Sequence, residues 1–68
     1  MITLTKSNDK VVLINNDLIE LIELTPDTTV TLSTGRILVV RETPEEIIEK
    51  IVAYKRKLHH TLEGKLEE

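Results

Sequence analysis

The stretch DLIELIELT, residues 17–25, decides the fold. Leu18, Ile19, Leu21, Ile22 and Leu24 recur about every three residues around Glu20 and Glu23, the spacing of a helix face. Yet Pro26 and Asp27 follow at once, and TTVTLS at 28–33 alternates as a strand does. A helix confined between a cap near Asp17 and Pro26 is too short to hold itself. Asp17 followed three residues later by Glu20 imitates a capping box. The expectation is therefore one helical turn over 17–20 feeding a strand over 21–25. A full strand from Leu18 is the competing reading, and it puts Glu20 and Ile22 on one face.

Upstream, ITLT at 2–5 alternates as a strand, with Ile2 and Leu4 on one face. Ser7-Asn8-Asp9-Lys10 has turn chemistry, because Asn and Asp tolerate positive φ and bond their own backbone. VVLI at 11–14 is apolar on both faces, which predicts a strand lying centrally or covered on both sides. Downstream, Thr25-Pro26-Asp27-Thr28 reads as a turn in which Pro26 presets φ. Strands follow over 29–33 and 37–41, joined through Gly35, which supplies the positive φ of a tight hairpin connection.

Thr43-Pro44-Glu45-Glu46 opens a helix over 44–58, with Thr43 at the N-cap, Pro44 in the first turn and Glu46 closing a capping box. Acidic residues lead this helix and Lys55, Arg56 and Lys57 follow, in line with its macrodipole. Its expected buried stripe is Ile47, Ile51, Tyr54, Leu58 and Leu62, broadened by Ile48 and Val52. Residues 59–68 form a tail or a helical extension. The whole is a single α+β domain over 1–58: a small antiparallel five-stranded sheet or open barrel with a C-terminal amphipathic helix.

The 68 residues include 24 Leu, Ile and Val and one aromatic ring, Tyr54, with no cysteine. A chain of this size buries only about 60% of its unfolded surface, so self-association is expected to supply part of its stability. No apolar run approaches the ~18 residues of a membrane span, and MITLTKS at the N-terminus has no signal-peptide core. The expected location is the cytoplasm. Net charge is −3, and residues 1–58 are nearly balanced, with 8 basic against 9 acidic side chains. That balance argues against a general nucleic-acid binder.

Catalytic chemistry has little to stand on. Ser7 and Ser33 fall in turns, where their hydroxyls serve the backbone, and no Ser, His and Asp frame is present. His59 and His60, as helical neighbours, point about 100° apart and cannot share an ion. His59 with Glu63 has chelating spacing, but two ligands are too few for a closed site. No metal and no cofactor is expected, nor an enzyme. Lys55, Arg56 and Lys57, with Lys50 behind, form the basic cluster, which complements the helix dipole or docks an acidic partner or anionic lipid. Glu20, Glu23 and Asp27 gather near one chain reversal, where they keep an edge strand soluble or meet a partner.

Taken in order, MITLTKSN (1–8), LINNDLIELIE (13–23), TPDTTVTLSTGR (25–36) and VVRETPEEIIEKIVAYKRK (39–57) resemble the FlbD family of small flagellar proteins, known as SwrD in some swarming bacteria. The resemblance rests on the joint order of Asn15 with Asp17, the Ile-Glu pairs at 19–20 and 22–23, Pro26-Asp27-Thr28, Gly35 and the segment from Glu42 to Lys55. The first turn departs from the family pattern, which usually has Asn-Gly where Asn8-Asp9 stand. The resemblance implies a bacterial cytoplasmic protein that supports swarming by raising flagellar motor power, through engagement of stator units, without catalysis. It implies no established set of binding residues.

Two functional readings follow. In the first, the chain is a flagellar motility accessory protein that acts by protein–protein contact on a motor or stator component, at the inner face of the membrane or nearby. Lys50, Lys55, Arg56 and Lys57 are the candidate contact. In the second, the order of strands and helix is similar to that of the carbon storage regulator CsrA, a dimeric RNA-binding regulator of motility, and Lys6 and Arg41 stand where basic residues would grip RNA. A gel shift with a GGA-containing RNA hairpin at low salt separates them, since phosphate contacts weaken steeply with salt.

Overall fold

A computed structural model describes the backbone of residues 1–67 and the side chains of residues 1–58. The chain runs β1 (Ile2–Thr5), β2 (Val11–Ile14), a 3-10 turn (Asn16–Leu18), β3 (Ile19–Leu24), β4 (Thr28–Leu32), β5 (Ile37–Val40) and α1 (Pro44–Glu67). All strand pairings are antiparallel.

The strands form two sheets, β1-β2 and β3-β4-β5, and not the single five-stranded sheet expected. The sheets touch at one corner, through an isolated bridge between Lys6 and Val40. Two backbone bonds frame it: Ser7 N–H to Val39 O at 3.1 Å and Arg41 N–H to Thr5 O at 2.8 Å. Beyond this corner the chain turns into α1, so no residue of β5 remains to pair with the start of β1. Side chains take over that edge. The Thr5 N–H donates to both carboxylate oxygens of Glu42, at 2.9 and 3.0 Å. Lys50 Nζ donates to the Thr3 carbonyl at 2.9 Å.

Residues 17–25 depart from the expected helical turn over 17–20 and strand over 21–25. The helical turn comes one residue earlier, with Asn15 at its N-cap accepting from the Asp17 N–H at 3.0 Å. The strand then starts at Ile19, before Leu21. A β-bulge between Ile19 and Leu21 absorbs Glu20, after which Ile22 faces Val30 and Glu23 faces Thr29. The extra residue shifts the alternation once. Ile19 and Ile22 thus both face the core, and the helix-like period of three is the signature of a bulged strand.

Ile2, Leu4, Val30, Leu32, Val40 and Ile47 form the buried core, and Val12, Ile14, Ile19, Ile22, Leu38 and Ile51 pack against it. The inner faces of both sheets and the first turns of α1 thus meet in one cluster. Asn16 is buried as well, and its Oδ1 accepts from the Met1 amino group at 2.9 Å, which satisfies it and ties down the N-terminus.

Strand β2 is neither central nor covered on both sides. It pairs with β1 alone, and Val11 and Leu13 on its outer face are exposed. Two turn residues take positive φ, Asp9 at 68° and Gly35 at 93°. Asp9 therefore holds the left-handed position for which glycine is favoured, a conformation Asp tolerates better than most residues.

Helix α1 starts as its capping box requires. The Thr43 N–H donates to Glu46 Oε1 at 2.9 Å and the Glu46 N–H to Thr43 Oγ1 at 3.1 Å. Its 24 residues give a rod about 36 Å long, well beyond the reach of four- to six-residue strands. The radius of gyration is 13.8 Å, against about 11 Å for a compact chain of this length. The helix overhangs the sheets.

Candidate functional site

The overhang produces a gradient along one line of α1. Ile47 is 0% exposed and Ile51 is half-buried, whereas Tyr54 is 36% and Leu58 48% exposed. All four lie within about 60° of arc at 100° per residue. The line itself was legible in sequence; its cover ends after the second turn. Tyr54, expected in the core, sits at the surface for this reason.

A second apolar line was misplaced. Ile48 and Val52, read as broadening the buried stripe, are 55% and 40% exposed. They stand about 100° and 140° around the helix from Ile47, off the side that meets the sheets.

The four basic candidates do not form one patch. Lys50 is half-buried and engaged with Thr3, through the carbonyl and, at 3.4 Å, the hydroxyl. Lys55, Arg56 and Lys57 are exposed, and consecutive helical positions fan them out by about 100° each. Lys57 falls on the flank of Lys50. Lys55 and Arg56 fall on either side of Val52. The outer face of the helix thus offers Ile48 and Val52 with two cations at one end and Glu45 and Glu49 at the other.

Lys6 and Arg41, the other pair singled out, do come together at the corner between the sheets. The Arg41 guanidinium is committed there. Its Nε contacts Asp9 Oδ1 at 2.6 Å and a terminal nitrogen donates to the Ser7 carbonyl at 2.9 Å. This pins the first hairpin turn to the end of β5.

The fold shifts the titration of Glu42. Burial raises its pKa, but the hydrogen bonds from Thr5 and from its own backbone N–H, with the Lys50 ammonium nearby, outweigh burial and leave it below the ordinary carboxylate value. Its role is to hold the edge of β1 against the start of α1.

Among the described residues the surface holds at least two depressions. One, about 420 Å³, lies between the β3–β4 turn and the end of β5, among Leu24, Pro26, Thr28, Val39 and Arg41. The other, about 300 Å³, runs between the hairpin and the helix and is lined by Met1, Leu13, Ala53 and Tyr54, with Lys50 at its rim. Glu20, Glu23 and Asp27 are exposed along β3 and the turn after it. Among the described residues no group of three His, Cys, Asp or Glu could hold a metal ion, and no helix is long and apolar enough to cross a membrane. The side chains of His59, His60, Leu62 and Glu63 lie outside the described residues.

A family model described as FlbD, flagellar and swarming motility proteins, matches residues 1–59. No curated protein matches the chain, and no solved structure does.

Proposed function

The chain belongs to the FlbD family of flagellar and swarming motility proteins, and from that premise we propose that it is a cytoplasmic accessory protein that acts by binding a component of the flagellar motor. Binding of one motor state in preference to another shifts the population toward the favoured state, and engagement of stator units is such a shift. The observation that carries the reading is the family match across nearly the whole domain. Support for a contact mechanism comes from the outer face of α1, where Ile48 and Val52 are exposed beside Lys55 and Arg56. Its partner is an acidic protein element with apolar residues of its own, close to the inner face of the membrane.

The test is a swarming assay in a strain whose own copy is replaced by Val52→Glu, or by Lys55→Glu with Arg56→Glu, with protein levels followed by immunoblot. Both variants are expected to lose swarming at normal abundance. Unchanged swarming would remove this face from the mechanism. Lys50→Glu belongs in a separate arm, because Lys50 also caps the edge of β1.

The RNA reading has one observation in its favour, the adjacency of Lys6 and Arg41. Against it, the Arg41 guanidinium already serves Asp9 and Ser7. The low-salt gel shift is expected to show no complex.

A further inference from the structure

We infer that the depression at the β3–β4 turn, with the acidic edge of β3 that leads to it, receives a basic segment of a partner protein, one lysine or arginine side chain of which enters the depression. This surface differs from the outer face of α1 and carries the opposite charge, so the proposal does not rest on the motility reading.

Charge is spread unevenly along the chain. Residues 11–35 hold Asp17, Glu20, Glu23 and Asp27 and no basic residue, whereas the remainder of residues 1–58 holds 8 bases against 5 acids. All four acids are exposed, and none forms an ion pair among the described residues. Glu20 and Glu23 lie on β3, an edge strand, within about 10 Å of each other at the rise of a strand. Asp27 follows in the turn after it. Such a row attracts a cationic segment and repels an anionic one.

Acidic residues by themselves only keep an edge soluble; a hydroxyl beside these points to a ligand. Thr28 is 4% exposed, and its side chain makes no hydrogen bond among the described residues. No sealed side-chain polar atom among those residues lacks a partner, so the Thr28 hydroxyl reaches the surface. At Thr28 that surface is the depression of about 420 Å³, within the size range of ligand sites. The strand register sets Leu24 on one side of Thr28 and Val40 on the other.

The lining selects a cation on an aliphatic stem. Leu24, Pro26 and Val39 supply walls for the methylenes of a lysine or arginine, which bury their stems while the charged head finds polar partners. The Thr28 hydroxyl accepts from an ammonium or guanidinium N–H, and Asp27 supplies the opposite charge. Arg41 also lines the depression, but Asp9 neutralises it and the Ser7 carbonyl takes one of its terminal donors. With Arg41 balanced, Asp27 leaves the mouth negative, which disfavours a carboxylate or phosphate occupant.

An NMR titration of the full chain at low salt tests the proposal, with a short end-blocked peptide that alternates lysine and threonine as the probe. The amides of Leu24, Thr28 and Val39 should shift as the complex forms, and added salt should weaken it. The same peptide with glutamate in place of lysine should move none of them. Thr28→Val keeps the shape and removes the hydroxyl, so binding should weaken about tenfold with no fall in thermal midpoint. Glu23→Lys with Asp27→Lys, both exposed, should abolish binding with unchanged circular dichroism. Glu45→Lys, exposed on α1, should leave it unaltered. The proposal is overturned if the lysine peptide moves none of these amides, or if the glutamate peptide binds at them. A lysine-peptide complex indifferent to either set of substitutions, or weakened as much by Glu45→Lys, would overturn it too.

Discussion

Ile47 and Leu58 occupy the same line of one helix, about three turns apart, yet one is fully buried and the other half open. The proximal half of α1 is tied to the body at several points. Thr43 and Glu46 cap it, Glu42 grips Thr5 just ahead of it, and Lys50 reaches Thr3. The distal half carries the same amphipathic pattern past the end of the sheets. Amphipathicity specifies which side of a helix wants cover; what supplies the cover is decided by the length of the strands beneath. Here the strands run out first.

The sharpest contrast between the halves is a pair of truncations. Ile47→Ala empties volume at a fully buried side chain and should cost about 2–5 kcal/mol, enough to unfold much of a chain this small. Leu58→Ala in dilute solution should cost less than about 0.5 kcal/mol. Urea unfolding followed by circular dichroism measures both, and equal losses would mean the distal half is already covered.

Next in size is the cap. Thr43→Ala should cost about 1 kcal/mol, since the Glu46 N–H loses its acceptor at the end where the helix meets the body. The same unfolding curve reads it.

A smaller effect tests the clamp beneath the cap. The Glu42 pKa is lowered in the folded chain, so its contribution is present above the unfolded value of about 4.3 and is lost as pH falls through the lower folded value. Wild-type stability should therefore drop with acid in that window. Glu42→Gln should be less stable at neutral pH and show a shallower drop, seen as thermal midpoints measured across pH. Identical pH profiles would mean Glu42 does not hold β1 to the start of α1.

The smallest effect concerns the turn pinned by Arg41. Asp9→Gly relieves a left-handed residue but gives up an exposed ion pair of at most about 1 kcal/mol. It should stay within about 0.5 kcal/mol of the wild type. Asp9→Ala loses the ion pair and keeps the strain, so it should fall below both variants in thermal midpoint.

Much of this fold could be read from local sequence. The capping box at Thr43–Glu46 and the turn at Gly35 are local devices, and both form as their residues dictate. The alternation at 2–5 and 29–33 put Ile2, Leu4, Val30 and Leu32 inside, where they are buried. What escaped was non-local. Nothing near Glu20 announces a bulge, because the bulge is defined by how β3 registers against β4. The division into two sheets depends on Glu42 and Lys50 serving an edge of β1 some 40 residues away. Val11, Leu13, Ile48 and Val52 read as buried because apolar side chains usually are, and their exposure depends on where other elements stop. The basic cluster was visible as composition, and its fanning around the helix follows from the 100° between neighbours; what needed the structure was the engagement of Lys50 with Thr3.

The claim that the cover over α1 ends after its second turn is tested most directly by amide hydrogen exchange of the dilute chain. Under dilute conditions the amides of residues 53–58 should exchange much faster than those of residues 47–51. Equal protection of both halves in the dilute chain would contradict the account.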